Sequence, residues 1–388
     1  MKGDQDVLIE EAREAALRVL FHNLEGPCRG LFRTAGWGYP EPYTRDIMIS
    51  ALGILVSGEQ ELVDGLRKVL EELARTQTPL GHVTSLAHDR NDRGASDTTP
   101  LFLMGVALFR KAAGRPDFLE DAVGKALTWM RYQSPGDRVV VAQQPTSDWR
   151  DEQWVWGYGL YVNTLVFTYL RLYGLREQAA MMRRMMQRFD PTGKPKAHYV
   201  HGALGIKSKP YYSLFSYKMY RSDRFDLLGN CLAILSGLAT TTRADRIVSW
   251  VEQHCDGMHR EGLLALDLPP CLFPYVERED PDWRPRYEKY GRLGEYHNGG
   301  VWPFICGFYV AAAVAAGRPR LARSKLERLA ALVRPARSAD VEFGFNEWFR
   351  AQDGTPQGQD WQTWSAAMYL YAVECVQRGS TPFFDELR

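Results

Sequence analysis

The stretch YHNGGVWPFICGFYVAAAVAAGRPRLARSKLERLAALV, residues 296–333, decides how the whole chain is read. It opens on a polar and aromatic loop, Tyr296-His297-Asn298-Gly299-Gly300, and continues into an apolar helical run over 301–316 with small residues at Ala311-Ala312-Ala313. Ala316-Gly317-Arg318-Pro319 then breaks the run, glycine ending one helix and proline opening the next. From 319 to 333 apolar residues keep the helical period, but charge fills the gaps between Arg318 and Arg328. A helix that is apolar all round is packed on both sides, whereas an amphipathic one has a wet face. The unit is therefore a polar loop, an inner helix, a tight hairpin and an outer helix.

The same unit recurs along the chain. Helical periodicity marks 5–24, 46–57, 60–77, 98–114, 117–133, 157–174, 176–189, 226–239, 243–254 and 361–377, with almost no strand alternation. Ser57-Gly58-Glu59 and Ala113-Gly114-Arg115-Pro116 are hairpins of the same kind. Long polar loops precede only every second helix: Tyr43-Thr44-Arg45-Asp46, Asp92 to Asp97, Ser147 to Trp154, Arg224-Phe225-Asp226, Tyr296 to Gly300, and Glu347 to Trp361. Six inner helices thus send their N-termini to one place. The expected fold is all-α, an (α/α)6 barrel or six-hairpin toroid, formed as a single domain over 1–388. An open solenoid would not need polar loops on alternate connections alone. Two stretches leave the rhythm: about 190–224 (Lys194, Pro195, Lys196, Tyr211, Tyr212, Tyr217, Tyr220) and 262–295 (Pro269, Pro270, Pro274, Pro281, Pro285). Both are expected as long loops over the funnel mouth.

Composition narrows the class. With 45% apolar and 24% charged residues, the 388-residue chain can bury a large core. A formal net charge of +1 gives no field for nucleic acid or anionic membrane. No apolar run reaches the length of a membrane span, and Met1-Lys2-Gly3-Asp4 is unlike a signal peptide. Six cysteines form no CxxC pair, which fits a reduced, cytoplasmic protein. A homo-oligomer, with a second copy walling part of the funnel, is left open.

Two acidic motifs carry the chemistry: Ser147-Asp148-Trp149-Arg150-Asp151-Glu152-Gln153-Trp154 and Phe345-Asn346-Glu347-Trp348-Phe349. Cleaving a glycosidic bond takes two carboxyl groups, one protonated and one ionised. Tryptophans beside them supply desolvation and a flat face for a sugar ring. Either motif alone also reads as helix-capping acids beside core tryptophans; the barrel places both at one funnel. Asp148, Asp151 and Glu152 compete as proton donor, and Glu342 is the near rival of Glu347 as base. Arg45, Asp46 and Asp97 suit vicinal sugar hydroxyls, although both aspartates also suit helix N-caps. Trp37, Tyr43, Trp149, Trp154, Trp302 and Trp361 are candidates for stacking on sugar faces or for walling the acid. His297 and Asn298 are expected to shape their loop and to reach a hydroxyl.

Cofactor chemistry finds no seat in the sequence. His254 and His259 lack one-turn metal spacing, and His82, His88, Asp89 and Asp92 form a loose loop cluster. There is no GxGxxG after a strand, no phosphate loop and no GxSxG elbow. No cofactor and no metal are expected; the expected partner is a small saccharide.

Tyr43-Thr44-Arg45-Asp46-Ile47, Phe225-Asp226-Leu227-Leu228-Gly229-Asn230 and Tyr296-His297-Asn298-Gly299-Gly300-Val301-Trp302-Pro303 resemble segments of neutral and alkaline invertases, in the family's order. The wider relatives are trehalases, glucosidase I-like enzymes and glycogen-debranching glucosidases. The resemblance implies an (α/α)6 barrel and an inverting two-carboxylate hydrolysis of a small α-glucoside such as sucrose. It assigns the acid to Asp151 and the base to Glu347. One motif departs from the invertases: Trp149-Arg150-Asp151 is closer to the Trp-x-Asp of debranching-type glucosidases. Two other readings remain: a sugar epimerase or isomerase on a similar barrel, which needs funnel-facing histidines, and a non-catalytic carbohydrate-binding relative.

Overall fold

The computed structural model describes residues 2–134, 139–187, 204–205, 209–217 and 220–388. Its helices are α1 (Lys2–Asn23), α2 (Thr44–Val56), α3 (Gln60–Thr76), α4 (Thr98–Ala113), α5 (Glu120–Tyr132), α6 (Leu160–Leu172), α7 (Arg176–Gln187), α8 (Leu227–Leu235), α9 (Thr241–Arg260), the single turn α10 (Tyr287–Tyr290), α11 (Pro303–Ala315), α12 (Pro319–Leu332) and α13 (Thr363–Arg378). Helix α2 packs on α4, α4 on α6, α6 on α8, α8 on α11, α11 on α13, and α13 back on α2. The inner ring is closed, and the fold is an all-α (α/α)6 barrel. Outer helices α3, α5, α7, α9 and α12 each lie against the inner helix they are paired with, and α1 covers α13.

Burial follows the sequence pattern. Every residue from Thr363 to Val373 of α13 and from Pro303 to Ala313 of α11 is buried. Outer α3 buries only a stripe, Leu62, Gly65, Leu66, Val69, Leu70, Leu73 and Thr76. Along the axis Met48, Leu101, Tyr161, Leu228 and Phe308 leave a void of only about 10 Å³, so the barrel is a filled core with a floor under its funnel. Inner helices approach closely where a side chain is missing: a Cβ on Gly53 of α2 would overlap the Ala367 carbonyl of α13.

The loops are clamped by a repeated device. Asn163, in the first turn of α6, receives the Val141 N–H and donates to the Val141 and Gly159 carbonyls. Asn230, at the same place in α8, receives the Tyr212 N–H and donates to the Tyr212 and Asp226 carbonyls. Each buried amide satisfies three backbone groups and ties an incoming segment to the helix it precedes.

Some segments expected as loops, and the opening of the helix expected over 157–174, are strands. β1 (Tyr158–Gly159), β2 (Ser213–Tyr217), β3 (Tyr220–Asp226) and β4 (Leu272–Phe273) form an antiparallel sheet in that order, and β5 (Trp348–Phe349) pairs with β6 (Pro356–Gln357). Residues Ser213–Ser216 are buried on both faces, which erases the period-two pattern that would have disclosed β2. Tyr217 and Tyr220 pack on Trp156, while Tyr211 packs on Trp250 and Phe225. Lys194, Pro195 and Lys196 lie outside the described residues. The 262–295 excursion crosses the Asp151 loop: the Trp154 N–H donates to the Tyr287 hydroxyl and Arg286 pairs with Glu152. Among the described residues no helix is long and apolar enough to cross a membrane.

Substituting Gly53→Leu is expected to lower stability by about 1–3 kcal/mol or more, the usual penalty for overpacking. Denaturant midpoints followed by far-UV circular dichroism check this; an unchanged midpoint would mean that α2 and α13 are not in close contact.

Candidate active site

A cavity of about 130 Å³ lies where the inner N-termini converge. Asp46, Asp151 and Glu347 open into it, with Arg45 beneath and Tyr39, Tyr43, Trp149, Tyr296, His297, Trp302 and Trp364 as walls. Each arrives from a different loop, so the site exists only once the ring has closed.

Asp46 stands in the first turn of α2 and is almost fully buried. Burial pushes its pKa up to about 7, against the pull of the neighbouring Arg45. Arg45 is itself fixed: its Nε donates to Asp97 Oδ2 at 2.5 Å and its Nη2 to Oδ1 at 3.1 Å. Asp97, the N-cap residue of α4, is fully buried and makes no side-chain cap. It does not line the cavity; both oxygens hold Arg45.

The three acids of the first motif have separate positions. Asp148 is buried, accepting from the Arg150 N–H at 2.7 Å and from Gln143 Nε2 at 3.0 Å. The Arg150 guanidinium lies fully buried between Asp148 and Asp226, 2.9 Å from Asp226 Oδ1 and 3.5 Å from Asp148 Oδ2. Glu152 is engaged by Arg286. Asp151 alone of the three turns to the cavity, with 59% of its side chain accessible. Its carboxyl is nonetheless raised, first by the crowding walls and with a contribution from Glu152 and Asp148.

His297 Nε2 is 4.0 Å from Asp151 Oδ1. The ring stacks on Tyr296, with centroids 3.9 Å apart, and meets the edge of Trp149 at 5.0 Å. Burial, with Arg150 and Arg45 nearby, pushes its pKa well below the usual range, so it is a neutral imidazole. Its Nδ1 is buried with no partner.

Glu347 is 7% exposed. Its N–H donates to the Gln359 carbonyl, and Oε2 receives the Gln359 N–H at 3.3 Å. Gly358 (φ +72°) permits this: a Cβ there would overlap the Glu347 carboxyl. Burial first, then Asp46 and Asp151, raise Glu347 from 4.5 to about 8. Its charge in turn is the main reason Tyr39 is pushed up to about 12. Phe345 (φ 41°) and Tyr296 (φ 45°) are bulky residues in the left-handed region, so strained backbone flanks both Glu347 and His297.

Three further sequence candidates do not line the cavity. Asn298 receives the Val276 N–H and donates to the Val276 and Gly291 carbonyls, so it shapes its loop as expected and both amide hydrogens are used there. Trp154 lies under Arg284. Trp361 clusters with Trp37 and His22 and donates its indole N–H to Phe343. Sequence reasoning gave no role to Thr34, Tyr39, Tyr296, Gln362 or Trp364, all of which line the cavity. Tyr296 opens the same motif as His297; Gln362 is the N-cap residue of α13, as Tyr43 is of α2 and Asp97 of α4.

A family model described as alkaline and neutral invertase matches residues 218–378. A probable alkaline/neutral invertase F of Arabidopsis thaliana is 31% identical over 152 residues, 38% of this chain and 28% of that protein. Cytosolic invertase 1 of Oryza sativa subsp. japonica is 30% identical over 158 residues, 38% of this chain and 25% of that protein. The matched segment thus spans about a quarter of the length of these relatives. In structure, a GH63 mannosylglycerate hydrolase from Thermus thermophilus, in complex with Tris and D-glycerate, superposes with a TM-score of 0.63 at 16% identity, covering 92% of this chain and 99% of that one. A glycosidase variant in complex with glucose gives 0.63 at 16% identity, covering 97% and 99%. The chain therefore has the fold of the (α/α)6 glycosidases and, over residues 218–378, is similar in sequence to the alkaline and neutral invertases.

Proposed function

We propose that the chain is an inverting glycoside hydrolase of a small α-glucoside, sucrose or a similar disaccharide, acting as one barrel domain over 1–388. The observation that carries this is the meeting of Asp151 and Glu347 across one small cavity, with Asp46 beside Glu347. Its volume of about 130 Å³ suits one sugar ring, with the leaving group toward the mouth. Among the described residues lining it, His297 is the one histidine, which favours this reading over an epimerase built on histidine pairs.

In the proposed mechanism Asp151, protonated, gives its proton to the glycosidic oxygen as the C1–O bond breaks. Glu347, ionised, takes a proton from a water whose oxygen attacks C1 from the opposite face. Such a water needs the two carboxyl groups about 6.5–9.5 Å apart. Asp46 and Arg45 hold sugar hydroxyls, Arg45 being aimed by Asp97. Of the cluster, Glu347 holds its proton up to about 8. A glycosidic oxygen accepting a hydrogen bond from Asp151 favours the protonated form there, so binding substrate moves the shared proton to the group that must donate it. Similarity to a cytosolic invertase and six free cysteines support a cytoplasmic setting, although other relatives are chloroplastic.

Turnover on a panel of α-linked disaccharides is expected to fall about 10²–10⁴-fold in Asp151→Asn and in Glu347→Gln, with the fold retained. If Asp148→Asn destroys activity while Asp151→Asn keeps it, the donor is misassigned.

Stability gives a second check. A carboxyl raised from 4.5 unfolded to about 8 folded binds its proton more tightly in the native state. Its contribution is complete below pH 4.5 and is lost as pH rises toward 8. Glu347→Gln should therefore raise the melting temperature at pH 8 and leave it little changed near pH 4.5. An equal shift at both values would mean that Glu347 is not held protonated by its surroundings.

Stereochemistry tests the mechanism itself. A single displacement inverts C1, so an α-glucoside releases β-glucose first. Proton NMR at early times, before mutarotation, reads the anomer; initial α-glucose would require a carboxylate nucleophile and overturn the inverting reading.

A further inference from the structure

The barrel end opposite the funnel carries a second concavity. Two adjoining cavities, about 640 and about 520 Å³, share Arg171, Arg183 and Leu387. Helix α6 links the two ends: its first residue follows the Asp151 loop, and Arg171 in its last turn lies about 17 Å away along the axis. The α6–α7 hairpin supplies Arg171, Arg176, Arg183 and Arg184, while Gly174, Ala179 and Ala180 keep the space between them open.

Charge in these cavities is unbalanced. Of the lining side-chain carboxylates, Glu386 is engaged by Lys111 at 2.6 Å, and Asp385 by Thr381 and Arg388. Arg183 donates Nη2 to the Gly237 carbonyl at 2.6 Å and lies over the Phe167 ring. Among the described residues, nothing pairs with the guanidinium groups of Arg171, Arg176 or Arg184. A cation in the last turn of α6 suits the negative end of that helix, but this accounts for Arg171 alone and not for three more beside it. Burial and then Arg183 and Arg176 disfavour the charge on Arg171. Crowded guanidinium groups without a counter-charge are what an anion relieves.

We propose that this concavity binds a phosphate dianion, free or as the monoester of a small molecule, between Arg171, Arg176, Arg183 and Arg184. One carboxylate is satisfied by a single guanidinium fork; several forks converging from two helices match the three or four oxygens of a phosphate group. The volume exceeds what a bare anion needs and leaves room for a sugar-sized ester.

Isothermal titration of inorganic phosphate, and separately of glucose 6-phosphate, into the full chain tests this, with ionic strength held constant by chloride. Saturable binding is expected, weakened about tenfold or more in R171Q/R184Q. The second variant R176Q/R184Q alters only exposed residues, so it guards against misfolding, and it should weaken binding likewise. Tighter binding of glucose 6-phosphate identifies the ester as ligand; equal or weaker binding identifies free phosphate. Absence of saturation, or an unchanged Kd in both variants, overturns the proposal. The readout is binding, so it is independent of whether the funnel hydrolyses any glycoside.

Discussion

An inner helix of this barrel is packed on every side, and that constraint orders everything else. From Thr363 to Val373 there is no wet face on which to place a polar side chain. Polar groups are driven to the helix ends, where the chain leaves the ring. At the N-terminal ends the backbone presents unpaired N–H groups and a partial positive charge, which favours acidic residues. Asp46, Asp97 and Asp226 stand at three of these ends, and Glu347 lies in the long loop that leads to a fourth. A closed ring with alternating loops thus collects carboxylates in one place before any chemistry is asked of them.

Gathering acids is not the same as aiming them, and the buried Arg150 makes the difference. Residues 148, 151 and 152 lie within one short loop, yet each meets a different environment. The guanidinium draws Asp148 inward and ties the loop to Asp226 at the start of α8. Removing one partner of such a buried trio would leave an uncompensated charge, which is strongly destabilising. Arg286 secures the far side of the loop through Glu152. Asp151 is left between two anchored neighbours with only the cavity to face. Arg45 is held in the same manner, by both oxygens of Asp97, so two arginines serve the site while only one of them lines it.

The fold was legible because its signal is periodic and long. Ala311-Ala312-Ala313 inside a wholly apolar helix, followed by a glycine–proline hairpin and a charged helix, permits few architectures, and most predicted helix limits fall within a few residues of the observed ones. The sheet was not legible: β1 and β4 are two residues long, and β2 is buried on both faces, so neither length nor alternation marked it. At the site, residues next to helix starts were readable from position alone. Tyr39 and Trp364 were not, because their approach to the cavity depends on how the 24–43 loop and the second residue of α13 lie in three dimensions. Asn298 was legible as a residue that shapes its loop: its amide ties the motif to Val276 and Gly291.

What remains is a site in tension with its own scaffold. Three carboxyl groups share a space of about 130 Å³, and each is raised by burial. The protein meets part of this cost with Arg45 and with the Gln359 N–H on Glu347. It does not remove the rest, although replacing an acid by an amide would lessen it. Strained backbone at Phe345 and Tyr296 points the same way, since neither φ is one that an aromatic residue adopts without being forced. Stability is given up where the proposed acid–base chemistry calls for a proton affinity near neutrality. A surplus of proton-hungry carboxylates around one small cavity is hard to account for as packing, and is what the proposed general acid–base catalysis requires.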